Sequence, residues 1–313
     1  GTENGYVWTK VSSFPSEIST ESNLQLDSVQ VADMGRYDVV IRNSLLPRVR
    51  QNGTFYIQWT EGFVVNDYYR SRPDADLDDG LCSVGLPGDG DWGVCSLQAA
   101  LQTAGRPGEP RNQIRFSECR HQLREWSLSV PEGAAIDGAD CGNVELDPPR
   151  GDPEPLIIEG SGFTIRNAEF GRPFYDISEG IHVTGTDVTF EDNIIRSFFV
   201  IPEGVEGVDV QRNTFDNSRN LNSYNGYGAG IYTPIDRGGD GPSCTPWDGD
   251  DAASNGGMPP PRLTRVTTEY VHGLTQPGAR VVVYQVRDFN RTRILRDPAA
   301  YTYRYFTPSM TPI

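Results

Sequence analysis

Lysine is almost absent from this chain: Lys10 is the only one among 27 basic residues, and all the others are arginine. Acidic residues outnumber basic ones by 43 to 27, which gives a formal net charge of −16. This balance argues against nucleic acid or an anionic membrane as a partner, because phosphate groups are bound by clusters of basic side chains. It favours solubility, cation binding and cationic partners.

Long apolar runs and closely spaced cysteine pairs of the kind that bind zinc are also missing. No run of ~20 apolar residues is present, so no transmembrane helix is predicted, and the first ten residues lack the apolar stretch of a signal peptide. The chain is therefore a mature form, a fragment or a cytosolic protein. No C-x-x-C pair occurs, which argues against zinc. Two disulfides with one cysteine left over are typical of an exported protein. The cysteines are Cys82, Cys95, Cys119, Cys141 and Cys244.

Three stretches of the chain share one spacing of apolar residues. Each has two apolar residues two positions apart and a third five positions further on, which fits a strand with one buried face, a turn and a second inward residue. The segments recur at 25 and 20 residues, which is the range of solenoid repeats. The sets are Phe163/Ile165/Phe170, Val188/Phe190/Ile195 and Val208/Val210/Phe215.

An asparagine position accompanies these repeats. Asn193 and Asn213 fall at the same offset in the second and third segments, whereas Ala168 takes that place in the first. Stacked asparagines at a turn hydrogen-bond from one coil to the next and satisfy backbone groups that the turn leaves open. A short asparagine ladder is therefore expected.

The running pattern of the region is Gly-Ile-x-Val followed by x-Gly-x-x-Val-Thr-Phe-x-x-Asn, seen from residue 180 to residue 193. This pattern resembles right-handed parallel β-helices of the pectate-lyase type. The resemblance implies coils of ~20–25 residues that stack at the ~4.8 Å strand spacing. Known enzymes of that fold are pectin lyases and polygalacturonases. The single lysine lies far from the repeats, and the Gly-His-Gly motif of the polygalacturonases is missing.

A short helix is predicted before the repeats, because four apolar residues lie on one helical face, with a serine placed to cap its start and a glycine to end it. These are Leu97, Ala100, Leu101 and Ala104, between Ser96 and Gly105.

The stretch Asp79-Gly80-x-Cys82, followed by Cys95-Ser96-Leu97-Gln98-Ala99-Ala100, resembles the CSLREA module at the N-terminal end of bacterial surface-exposed β-helix proteins. It departs from that module at Gln98-Ala99. The resemblance implies a local disulfide between Cys82 and Cys95, and a helix that caps the open end of the solenoid, where an unpaired strand edge would otherwise be exposed. Cys119 and Cys141 flank the first coils and are placed to bridge.

The beginning of the chain is predicted to form strands over residues 1–60. Asp33-x-Gly35-x-Tyr37, followed by alternating apolar residues, resembles the tyrosine corner of immunoglobulin-like domains. The resemblance implies that the Tyr37 hydroxyl bonds back to the backbone and that Trp8 is the buried tryptophan of the sandwich. The cysteine pair and the first strands of such a domain are missing, so we expect a partial sandwich.

The end of the chain is predicted to hold a linker over 241–262, which is rich in glycine and proline, and strands over 263–313. The stretch with Pro277-Gly278 resembles the small β-sandwich modules that follow β-helices in large bacterial surface proteins. The predicted fold class is therefore all-β: a capped right-handed parallel β-helix over 61–240, flanked by sandwich-like segments.

Candidate sites are few. Asp74, Asp76 and Asp78 alternate as in calcium loops, although Gly80 is one position late for an EF-hand. Two N-glycosylation sequons begin at Asn52 and Asn290, but such tripeptides are frequent by chance.

Established catalytic motifs are missing: there is no nucleophile elbow, phosphate loop, H-E-x-x-H motif or dinucleotide fingerprint. Paired carboxylates in the repeats would suit glycoside hydrolysis at the right separation. Outward strand positions are more often charged for solubility, so no catalytic residue is assigned. The candidates weighed are Asp176, Glu179, His182, Asp187, Glu191, Asp192, Arg196 and Arg212.

Two functions stay open at this point. The first is a non-enzymatic extracellular or cell-surface protein, structural or adhesive, whose partners are copies of itself or other surface proteins. The second is a polysaccharide-binding or polysaccharide-degrading protein on the same fold. For the second, Tyr224, Tyr227 and Tyr232 are candidates for stacking on sugars, or for packing beneath a loop. Apart from calcium, no cofactor is expected.

Overall fold

A computed structural model describes the fold for most of the chain up to residue 216 and for short strands beyond it. The described residues are 4–11, 16–43, 50–67, 72–86, 89–123, 125–147, 149, 154–171, 180–196, 199–216, 235–238, 262–266, 271–274, 284–287 and 309–312. They are mostly β, with large parallel sheets. No helix within these ranges is long and apolar enough to cross a membrane.

The described part contains one α-helix, α1 (Leu97–Ala104), and two short 3-10 helices (Val31–Asp33 and Ala139–Cys141). The strands are β1 (Asn4–Val11), β2 (Ser16–Ser19), β3 (Gly35–Asn43), β4 (Arg50–Ile57), β5 (Gly62–Val65), β6 (Gln113–Phe116), β7 (Arg120–Gln122), β8 (Ser127–Val130), β9 (Ala135–Asp137), β10 (Val144–Asp147), β11 (Leu156–Gly160), β12 (Thr164–Arg166), β13 (Ala168–Phe170), β14 (Ile181–Val183), β15 (Thr189–Glu191), β16 (Ile194–Ile195), β17 (Phe199–Pro202), β18 (Asp209–Gln211), β19 (Thr214–Asp216), β20 (Ile235–Gly238), β21 (Arg262–Val266), β22 (Val271–Leu274), β23 (Tyr284–Arg287) and β24 (Ser309–Pro312).

From β6 to β20 the chain repeats one path: each coil places one strand in each of three sheets. Sheet 1 has the order β5-β6-β9-β12-β15-β18, sheet 2 begins β7-β10-β13-β16-β19, and sheet 3 is β8-β11-β14-β17-β20. Neighbouring strands within these runs are parallel. Five successive coils therefore stack, and β5 adds a sixth strand to sheet 1.

The aligned apolar residues of the repeats stack inside the coils. Ile165 lies opposite Phe190, and Phe190 lies opposite Val210. Ile165 and Phe190 have no exposed surface, whereas Val210 is partly buried because β18 is the last strand described in sheet 1. Each large side chain buried in this way contributes about 1.5–3 kcal/mol relative to exposure. The remaining aligned positions also face the core. Five of them are buried and Val208 is partly buried; the five are Phe163, Phe170, Val188, Ile195 and Phe215.

A left-handed residue turns the chain from sheet 1 into sheet 2 in three successive coils. Asn167, Asp192 and Arg212 have φ of 53°, 54° and 51°, and each stands directly before the ladder position. Asn193 and Asn213 follow, and both are buried. The Asn193 amide donates to Asn213 Oδ1 and to the Ile165 carbonyl, each at 2.9 Å. The predicted ladder is therefore present between these coils.

The first coil is covered by α1 and tied by disulfides. The Ser96 side chain accepts the Ala99 N–H at 3.1 Å at the start of the helix, and the Gly105 N–H donates to the Leu101 carbonyl at its end. The chain forms Cys82–Cys95 and Cys119–Cys141, with Cα atoms 5.1 and 5.2 Å apart. Cys244 lies outside the described residues.

The amino-terminal sheet is antiparallel, with the order β2-β1-β3-β4. Tyr37 is 1% exposed, and its hydroxyl donates to the Asp33 carbonyl at 2.5 Å, the contact expected of a tyrosine corner. Trp8 is only half-buried in β1, where its indole N–H donates to the Glu21 carbonyl at 2.9 Å. Within the described part of 1–60 these strands make one sheet, so the partial sandwich stays a prediction.

Few strands are described after residue 261. The strands β21 and β22 form an antiparallel pair, and β23 pairs with β24. The strand β24 also pairs antiparallel with β19, which extends sheet 2 beyond its parallel part. The predicted boundaries at 61, 241 and 263 stay predictions.

Candidate functional site

The outer face of sheet 1 carries a line of polar side chains from neighbouring strands, here called the charge column: Asp137, Arg166, Glu191 and Gln211. Backbone register places each opposite the next, from β9 to β18. Arg166 lies 3.1 Å from an Asp137 oxygen and 3.9 Å from a Glu191 oxygen. Its guanidinium therefore stands between two carboxylates, as the parallel strand spacing dictates for consecutive outward residues.

The column ends in an ion-pair cluster at the turn after β15. Arg212 donates to Glu191 Oε2 at 2.8 Å and to both carboxylate oxygens of Asp192 at 2.9 and 2.7 Å. The fork geometry suits a bidentate Arg–carboxylate pair. Hydrogen bonds and charge from Asp192, then from Glu191, raise the pKa of Arg212. Both acids therefore serve as acceptors for one permanent cation.

The acid–base candidates are distributed over different faces. Glu191, Asp192 and Arg212 come together at the end of the charge column. His182 lies in β14 of sheet 3, and Arg196 follows β16, where its Nε donates to Glu169 at 2.6 Å. Asp187 occupies a left-handed turn with φ of 53°. Asp176 and Glu179 lie outside the described residues, as do Tyr224, Tyr227 and Tyr232.

The predicted calcium residues lie in a loop whose carboxylates accept hydrogen bonds from backbone N–H groups of the same loop. Asp74 Oδ1 accepts the Asp76 N–H at 3.1 Å, and Asp76 Oδ1 accepts the Asp78 N–H at 3.0 Å. The Thr103 hydroxyl donates to Asp74 Oδ2 at 2.5 Å, while burial raises the pKa of Asp74. Among the residues with described positions, no three His, Cys, Asp or Glu side chains group so as to hold a metal ion. Calcium stays a prediction.

A buried histidine in β7 was not anticipated from the sequence. His121 is 2% exposed, and its ring lies 4.9 Å from that of Phe116. Its Nδ1 is 2.8 Å from the Asp67 carbonyl oxygen, and its Nε2 is 2.6 Å from that of Glu118. Burial lowers the pKa of His121 to about 4, against smaller raising effects of these hydrogen bonds and of Asp147. The only signal was the strand alternation, which places residue 121 inward between Arg120 and Gln122.

The amino-terminal sheet is joined to the cap region through Arg36. Its guanidinium donates to the carbonyl oxygens of Trp92 at 2.8 Å and Asp89 at 3.2 Å, while Asp38 holds it from the other side at 2.8 and 2.9 Å. It also lies 5.5 Å from the Trp92 ring centre. Gly93, with φ of 80°, allows this approach, because a Cβ there would lie 2.7 Å from the Arg36 Cβ.

The only lysine belongs to this same region of the fold. The Lys10 amine donates to the Ala32 carbonyl. Burial lowers the pKa of Lys10, while the charges of Asp33 and Glu118 act to raise it. Burial raises the pKa of the Glu118 carboxyl group, while the positive charge of Lys10 acts to lower it. Lys10 thus lies near Glu118, which precedes the first strand of sheet 2.

A groove of about 530 Å³ lies between α1 and the edge strand β8. Leu97 and Leu101 line it from the helix, and Leu128, Val130 and Pro131 from the strand side. The strand β8 is the first of sheet 3, so the groove lies where α1 meets the end of that sheet.

Comparison with known proteins adds no assignment: no family model matches the chain, and neither curated proteins nor solved structures matched it. The resemblance to CSLREA-type and pectate-lyase-like proteins therefore stays a prediction.

Proposed function

We propose that this chain is a non-enzymatic extracellular or cell-surface protein with a structural or adhesive role, built as a capped right-handed parallel β-helix with sandwich-like flanks. Five stacked coils, each with one strand in each of three parallel sheets, support the fold proposal. The helix α1 and the Cys82–Cys95 disulfide at the first coil are in keeping with a cap. Two disulfides favour an oxidising compartment.

The observation that carries the functional proposal is the charge column and its end cluster. A general acid or base must lie within hydrogen-bond reach of the substrate group whose proton it transfers. Glu191 and Asp192 both accept hydrogen bonds from Arg212, and Glu191 lies near Arg166 as well, so their carboxylates are engaged within the protein. Opposite charges on neighbouring strands link successive coils, which suits a stiff body with a solvated surface.

The test combines shape, association and activity. Small-angle scattering and analytical ultracentrifugation of the full chain are expected to show an elongated particle that self-associates. Incubation with pectins and other acidic polysaccharides is expected to produce neither new reducing ends nor unsaturated products. Cleavage that is abolished in Glu191→Ala but kept in Glu203→Ala, an exposed glutamate in the turn after β17, would overturn the proposal in favour of the polysaccharide-degrading alternative. Binding on a glycan array would favour the polysaccharide-binding one.

A further inference from the structure

The strand β4 presents a sequon to solvent at the edge of the amino-terminal sheet. Asn52 and Thr54 are two positions apart in an extended strand, so they point to the same side, and both are exposed. Gly53 between them faces the opposite side, where a Cβ would lie 3.1 Å from Val39 Cγ1. The Asn52 amide, which would carry a glycan, and the Thr54 hydroxyl are thus exposed on the same side of the strand.

The surroundings leave this amide accessible. Asn52 makes no side-chain hydrogen bond to any residue whose position is described, and the Thr54 hydroxyl donates to Asp38 Oδ1 at 2.8 Å. The strand β4 is the last strand of the order β2-β1-β3-β4, and among the described strands it pairs only with β3. A strand edge without a partner is a template for unwanted strand pairing, which proteins block with charged side chains, prolines, bulges or covering segments.

We propose that Asn52 is an N-glycosylation site that shields the open edge of β4. The sequon Asn52-Gly-Thr54 has the form that oligosaccharide transfer requires. This inference rests on the proposed extracellular location, which the two disulfides favour. A branched glycan at Asn52 would cover the edge with solvated mass.

Transfer of the glycan forms one bond and breaks one bond, with no change of oxidation state. The Asn52 Nδ2 attacks the anomeric carbon of a lipid-diphosphate-linked oligosaccharide and forms a C–N glycosidic bond. The bond from that carbon to the diphosphate oxygen breaks, and the lipid diphosphate leaves with the electron pair. One of the two Nδ2 protons is lost to a base of the transferring enzyme.

The test is secretion of the full chain from a eukaryotic host behind a cleavable leader, followed by mass spectrometry. Peptide N-glycosidase in heavy-oxygen water marks each glycan-bearing asparagine by converting it to labelled aspartate. Asn52 is expected to be labelled in most secreted molecules. Labelling at Asn52 is expected to vanish in Asn52→Gln and in Thr54→Ala, and to persist in Thr54→Ser, which keeps the hydroxyl.

Failure of this inference is distinguishable from failure of the proposed function. Secreted, disulfide-bonded protein with an unlabelled Asn52 would overturn the glycosylation site, whether or not Asn290 is labelled. The structural role would be unaffected by that result, because it is decided by the scattering and polysaccharide experiments. Labelling at Asn52 that persists in Thr54→Ala would also refute the assignment, since the sequon would then not direct the modification.

Discussion

Asn193 offers the sharpest test of how the coils hold together. Its side chain accepts the Ala168 N–H at 2.9 Å and donates to the Ile165 carbonyl and to Asn213 Oδ1. Substitution to alanine leaves the buried Ala168 N–H without its acceptor and removes the amide hydrogen bonds to the Ile165 carbonyl and to Asn213 Oδ1. Each buried group left unsatisfied costs about 1–3 kcal/mol. With about 0.5–1.5 kcal/mol added for a lost hydrogen bond, Asn193→Ala is expected to lower the free energy of unfolding by about 2–4 kcal/mol.

The assay is urea denaturation followed by fluorescence, with Asn112→Ala as the matched control. Asn112 is a half-buried asparagine whose side-chain amide donates to the Gly133 carbonyl at 2.8 Å and whose Oδ1 accepts from Gln113 Nε2 at 3.2 Å, so it satisfies no buried backbone N–H. Its loss is expected to cost about 1 kcal/mol or less. If Asn193→Ala were no more destabilising than Asn112→Ala, the buried ladder would not hold the coils together. Ala168 takes the place of the asparagine in one coil. Its backbone N–H still has an acceptor, because Asn193 Oδ1 of the next coil accepts it.

Three further predictions concern the first coil and its junction. Because burial holds the pKa of His121 at about 4, below its usual 6.5, the unfolded chain takes up the proton first. The stability that His121 contributes above pH 6.5 should thus be lost as the pH falls towards 4, by about 3 kcal/mol in total. Denaturation at several pH values should show that His121→Gln loses less of its free energy of unfolding between pH 6.5 and pH 4 than the chain with His121 does. Equal losses in the two proteins would contradict this. Arg36→Ala removes charge-assisted bonds worth about 1.5–3 kcal/mol each and should speed amide exchange around Trp92, whereas the exposed Arg42→Ala should not. Ser96→Ala should cost about 1 kcal/mol of thermal stability through the lost helix cap, and an unchanged melting temperature would show that the cap bond is not needed.

Local patterns predicted the repeating elements well. The apolar spacing around Ile165 and Phe190 depends only on strand alternation, and register does place these residues opposite each other in the core. The helix from Leu97 to Ala104 carried its own start and stop signals in Ser96 and Gly105, and it forms between them. Such features are predictable because the chain encodes them within a few residues.

Contacts across large sequence separations were not predictable in the same way. Nothing near Arg36 in the sequence indicates that it binds the Trp92 carbonyl 56 residues later. The burial of His121 follows from the loop that carries Asp67, 54 residues earlier. The pairing of β24 with β19 likewise joins distant segments. Each depends on how separate elements pack, which no local pattern records.

The sequence by itself determined that the chain repeats a strand-and-turn unit with an inward apolar set and an asparagine at the turn, because side-chain period and turn chemistry are local properties. Tertiary structure alone decided that the outward charges of successive coils meet. Asp137, Arg166 and Glu191 are separated by 29 and 25 residues, yet parallel register places them side by side. Stacking at the strand spacing turns scattered charged residues into one ion-paired column. We base the proposed structural role on that column.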